Sequence, residues 1–130
     1  MDREEELRQW LDLPANNLRT AQYIAENMHP VPDEIVCNLC HQTVEKYLKG
    51  FLFYNDAEFP KIHDLPTLLK LCIDISADFS VFINKCGFLN KYGVMPKYPN
   101  DIQINDDDVK TALKFAKEIQ EFVVPKIKIK

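Results

Sequence analysis

The chain has 130 residues, of which 46% are hydrophobic, enough for one domain with a real core and too few for two. Twenty acidic residues against sixteen basic ones give a formal charge of −4, so the chain lacks the basic footprint of a general nucleic-acid binder. The acidic start Asp2-Arg3-Glu4-Glu5-Glu6 is unlike a signal peptide, and no apolar run approaches the roughly 20 residues of a membrane span, which predicts a cytoplasmic protein.

From Glu4 to Met28 the apolar positions Leu7, Trp10, Leu11, Leu18, Ala21, Ile24, Ala25 and Met28 keep a helical period, interrupted at Pro14. Proline removes a backbone donor and crowds the preceding turn, so the pattern predicts a kinked helix, or a short one leading into a long one. His29-Pro30-Val31-Pro32 is a break short enough to make the next helix antiparallel.

The following stretch, Ile35 to Asn55, reads as the central helix. Ile35, Val36, Leu39, Cys40, Val44, Tyr47, Leu48, Phe51 and Leu52 surround most of its circumference, and Asp33 and Glu34 suit its first turn. Only Asn38, Gln42, Glu45, Lys46 and Lys49 stay polar, in one stripe covering roughly a third of the circumference. Such a seam on a largely buried helix must meet water or a partner.

Asn55 to Pro60 reads as a loop. Asp64 then caps a short helix with Pro66 in its first turn and Leu65, Leu68, Leu69 and Cys72 on its apolar face. Ser76 can cap a fourth helix carrying Phe79, Phe82, Ile83, Cys86 and Leu89, ending near Gly93. Val94 to Asp101, with two prolines, is predicted to be a loop. Asn105 caps the last helix, with Asp106, Asp107 and Asp108 complementing its dipole, and Pro125 follows its end. The apolar face of that helix is wider than one packing stripe needs, and the excess around Phe115 and Phe122 suggests a subunit interface. Residues 124–130 form a tail expected to fray. No strand pattern stands above background, so the expected fold is all-α: one domain over 1–130, an up-and-down bundle of about five helices.

Motifs for chemistry are sparse. Cys37-Asn38-Leu39-Cys40-His41 matches the C-x-x-C-H spacing of covalent haem attachment, yet it lies inside an apolar helix where the thiols serve as packing. Zinc would need a fourth ligand there, so neither metal nor cofactor is expected. All four cysteines are expected to be reduced core residues. His63 beside Asp64 could form an acid–base pair, but a helix cap preceded by a polar residue accounts for both. The three glycines, Gly50, Gly87 and Gly93, make no phosphate-cradling loop, and no serine or cysteine sits in a nucleophile motif.

The run His41-Gln42-Thr43-Val44-Glu45-Lys46-Tyr47-Leu48-Lys49-Gly50, followed by His63-Asp64-Leu65, Leu89-Asn90-Lys91-Tyr92 and Lys97-Tyr98-Pro99, resembles the HEPN domain, as does the Trp10 to Ala21 stretch. This resemblance implies a four- or five-helix bundle, commonly a homodimer, often paired with a separate minimal nucleotidyltransferase and linked to nucleotide binding. Other HEPN members are metal-independent ribonucleases, many of them toxins or defence proteins, whose site is an arginine followed by four to six residues and a histidine. Here Arg3, Arg8 and Arg19 all lie in the first helix, and His29, His41 and His63 fall at none of those intervals. Lys97 stands where the family carries arginine before Tyr-Pro, keeping the charge without the bidentate fork.

The expectation is therefore a non-catalytic binding module. Its nucleotide, phosphate or partner contacts are expected at Gln42, Glu45, Lys46, Lys49, His63, Asp64, Lys97 and Tyr98. The alternative is a ribonuclease toxin acting on RNA with a nonstandard pair such as His63 with Asp64 or Lys97.

Overall fold

The computed structural model describes residues 1–94 and 103–129. Among them are five α-helices and no strand: α1 (Arg3–Asn27), α2 (Asp33–Tyr54), α3 (Leu65–Ile75), α4 (Ile83–Asn90) and α5 (Asp106–Val123). None is long and apolar enough to cross a membrane. The expected all-helical bundle is the fold observed.

Helix α2 is the axis, packed against every other α-helix. Val36, Cys37, Cys40, Val44, Tyr47, Leu48, Phe51 and Leu52 are all buried along it. The pairs Arg3 with Tyr54, Trp10 with Gly50 and Asn17 with Lys46 step in opposite directions along the two chains, so α1 and α2 are antiparallel, as their short connection requires. At one end of that pair the Arg3 guanidinium donates to the Tyr54 carbonyl at 2.7 Å, satisfying a terminal acceptor of α2.

Pro14 does not divide the first helix in two. It is buried inside the uninterrupted α1, where the one donor it lacks would have met the Trp10 carbonyl. Around Trp10 the two helices come close: a Cβ on Gly50 would lie 3.0 Å from Trp10 Cβ and 3.5 Å from the Trp10 carbonyl oxygen. Glycine suits this position because a Cβ here would crowd Trp10 of α1.

The predicted caps are in place. Asp64 accepts from the Thr67 amide, and Asn105 forms a reciprocal capping box with Asp108. The segment read as one fourth helix is composite, with a 3₁₀ stretch over Ala77–Phe82 before α4 and a 3₁₀ turn over Lys91–Gly93 after it. Tight winding brings both Phe79 and Phe82 onto Phe122, with centroids 5.0 and 4.8 Å away. Phe115 meets Phe88 at 5.5 Å, and the Lys85 and Lys126 ammonium groups lie over the Phe115 and Phe122 rings. The surplus apolar width of α5 is therefore covered from within the chain, which removes the reason for assigning it to a subunit interface.

The tail is docked as far as it is described. Val124–Lys126 form a 3₁₀ turn, Lys126 pairs with Asp78 at 2.8 Å, and Ile127 is buried, so the expectation of fraying fails there. All four cysteines are free and buried, in agreement with the core reading.

Candidate binding cleft

The polar stripe of α2 hydrogen-bonds both along the helix and to the rest of the bundle. Asn38 donates to the Tyr92 carbonyl at 2.8 Å, and Gln42 donates to Asn38 Oδ1 at 2.6 Å. Lys46 donates to Asn17 Oδ1 of α1 at 2.7 Å. Lys49 Nζ lies 2.9 Å from Glu45 Oε2, and both residues are buried.

After α2 the chain returns alongside it and lays His63 against Glu45, with Nδ1 3.0 Å from each carboxylate oxygen. His41, one helical turn before Glu45, is only 1% exposed, and its Nδ1 is 3.7 Å from Glu45 Oε1. Neither ring nitrogen of His41 has a hydrogen-bond partner among the described residues. Gly93 closes the far side, where a Cβ would fall 2.7 Å from His41 Nε2, so this wall of the site requires glycine.

These groups line a cleft of about 380 Å³, formed by Asn38, His41, Gln42, Glu45, Lys46, His63 and Gly93. Burial would raise the Glu45 pKa, but hydrogen bonds and charge from Lys49 and His63 outweigh it and hold the carboxyl below its ordinary value. Burial lowers His41 despite the neighbouring carboxylate, keeping the imidazole neutral. Burial also lowers Lys46, partly offset by Glu45. The cleft thus holds an ionised, already paired carboxylate, a neutral imidazole, and donors from Gln42 and Lys46.

Of the sequence-derived candidates, Gln42, Glu45, Lys46 and His63 converge on the cleft. Lys49 lies beneath them as the counter-ion of Glu45 and is not a wall residue. Asp64 is likewise off the wall and is committed to the start of α3. It accepts from the Thr67 hydroxyl at 2.6 Å and from Asn90 at 2.9 Å, and these bonds hold its pKa down. Lys97 and Tyr98 lie outside the described residues.

Sequence reasoning missed Asn38, His41 and Gly93 as wall residues. The spacing Asn38, His41, Gln42, Glu45 carried the signal, but His41 was weighed with the cysteines instead of with Glu45. Cys37 and Cys40 point into the core, and burial lifts the Cys37 thiol to about 12. Among the described residues no group of three or more His, Cys, Asp or Glu side chains is arranged to hold a metal ion.

A family model described as HEPN domain matches residues 7–128. The chain belongs to the HEPN family. The fold is similar to that in a crystal structure of ST0689, described as an archaeal HEPN homologue, with a TM-score of 0.71 and 24% identity. That match covers 98% of this chain and 100% of the other, and at this identity it speaks for the HEPN fold alone. No curated protein matches the chain.

Proposed function

We propose that this chain is a non-catalytic HEPN binding module. In this reading it acts as a cytoplasmic homodimer that pairs with a separate minimal nucleotidyltransferase and helps form its nucleotide or substrate site. The observation that carries the reading is the state of Glu45. A carboxylate engaged by Lys49 and His63 and held ionised organises a site but is poorly placed to take a proton from a substrate. What remains available in the cleft is donor capacity, on Gln42, on Lys46 and on the outer edge of His63, which suits an anionic group.

Titration with a nucleoside triphosphate, and co-purification with a nucleotidyltransferase encoded nearby, test this reading. Lys46→Ala is expected to stay folded and to weaken one or both interactions. Full retention of both by the folded variant overturns the site assignment.

The alternative, an RNA-cleaving HEPN toxin, draws support from the His63 geometry. A carboxylate orients Nδ1 while 74% of the side chain is exposed, as an acid–base histidine would require. Against it, no arginine lines the cleft, and Arg3 and Arg8 bond elsewhere, to Tyr54 and Glu4. Cleavage of total RNA by the purified protein, lost in His63→Ala, would favour the toxin over the binding module.

A further inference from the structure

A second opening lies on the other side of α2. At about 100° per residue, Tyr47 projects nearly opposite Asn38 and Glu45, away from the polar cleft. It forms the floor of a pocket of about 440 Å³ between α1, α2 and the end of α5. Leu11, Ala15, Val124 and Pro125 are its apolar walls, and Gln120 and Glu121 its polar ones. Small-molecule sites commonly occupy roughly 300–1,000 Å³, so the space is adequate.

The polar wiring of this pocket has a direction. Lys117 Nζ donates to Gln120 Oε1 at 3.3 Å, and Gln120 Nε2 donates to the Tyr47 hydroxyl oxygen at 2.7 Å. Tyr47 therefore acts as an acceptor in this chain, and among the described residues its own proton is donated to no protein group. The residue is only 1% exposed and lines the pocket. A buried hydroxyl with an unspent donor is completed by an acceptor, and the two bonds behind it polarise it toward one.

Charge around the pocket narrows the ligand. Glu121 belongs to its lining and sits 4.0 Å from Lys117, while burial, partly offset by the Gln120 hydrogen bond and helped by Asp12, acts against ionisation of Tyr47. Among the described residues that line it there is no cation to receive an anion, and its one carboxylate, Glu121, already has Lys117 beside it.

We propose that this pocket binds a small neutral molecule with an apolar body and one carbonyl-type acceptor, which takes the Tyr47 proton. The site is independent of the polar cleft and stands whether or not the cleft binds a nucleotide.

Coumarin, which is neutral, planar and carries a carbonyl, and naphthalene, which lacks an acceptor, are the paired probes. They are titrated into the isotope-labelled full chain and followed by amide chemical shifts. Coumarin is expected to move Ala15, Tyr47, Gln120 and Val124, with naphthalene binding more weakly at the same place. Tyr47→Phe is expected to weaken coumarin by roughly three- to tenfold and to leave naphthalene unchanged. Ala15→Leu, which fills the pocket from α1, is expected to exclude both probes while the helical signal stays intact. The proposal is overturned if the shifts fall elsewhere, or if Tyr47→Phe affects both probes equally or neither. It is also overturned if the same amides move with protein concentration alone, which would make the pocket a seat for a second copy of the chain.

Discussion

Replacing Lys49 with methionine isolates the ion pair beneath the cleft. Glu45 and Lys49 are each 8% exposed, so solvent screens their interaction little. Losing one partner of a buried pair costs roughly 3–5 kcal/mol, and His63, still 3.0 Å from Glu45, offsets part of that, leaving about 2–3 kcal/mol. Urea unfolding followed by helical circular dichroism measures the loss, and the double variant Glu45→Gln/Lys49→Met is expected to recover most of it. The pH dependence supplies the sharper check. In the native protein the folded Glu45 pKa lies below 4.5, so its stabilisation is present above that pH and disappears as pH falls through the folded value. Without Lys49, burial dominates and the folded pKa rises above the ordinary one, so the carboxyl then costs stability as pH rises through it. The deficit of Lys49→Met must therefore shrink as pH is lowered from about 7 toward 4.5. A deficit below about 0.5 kcal/mol, or one that does not change with pH, refutes the buried-pair account.

His41 gives a separate acid response. Its folded pKa lies below the ordinary 6.5, so stability is full above that pH and falls as pH drops toward the folded value; His41→Leu should remove this slope from melting temperature measured against pH, and an unchanged slope would exonerate the residue. Gly93→Ala should cost roughly 1–3 kcal/mol through the clash with His41, and much less in a His41→Ala background; simple additivity of the two would show that the contact is unimportant. Asn90 Oδ1 accepts from the Leu65 amide while its Nδ2 donates to Asp64, so Asn90→Ala should cost roughly 1–2 kcal/mol and speed hydrogen exchange at Leu65; exchange as slow as in the native chain would contradict the capping role.

Features set by neighbours in sequence were legible in advance. The Asp64 and Asn105 caps depend on a side chain three residues before its amide partner, and α2 announced itself by apolar positions on nearly every side. What periodicity cannot supply is the identity of whatever covers a face. Phe115 and Phe122 looked surplus because periodicity does not show that Phe88 meets the first and that Phe79 and Phe82 meet the second. Pro14 left open a kinked helix or two helices, because local chemistry counts the lost donor but not the packing that keeps α1 continuous. Depth was equally hidden. Glu45 and Lys49 share the stripe with Gln42 and Lys46, yet lie beneath them because His63 returns over the carboxylate from a distant loop.

That difference in depth divides the seam into parts that hold and parts that can bind. Glu45, Lys49 and Asp64 have committed their charged atoms to partners within the bundle, so an incoming anion would have to break bonds to use them. Among the described residues, Gln42 and Lys46 each spend one donor on Asn38 and Asn17 and keep others, and His63 has given only Nδ1. A ligand drawn to those free donors leaves the Glu45 pair intact. Folding and recognition are then separable by mutation: changes at Lys49 move stability first, and changes at Lys46 move affinity first. A Lys46→Ala variant that lost as much stability as Lys49→Met would erase the distinction, because both lysines would then belong to the frame.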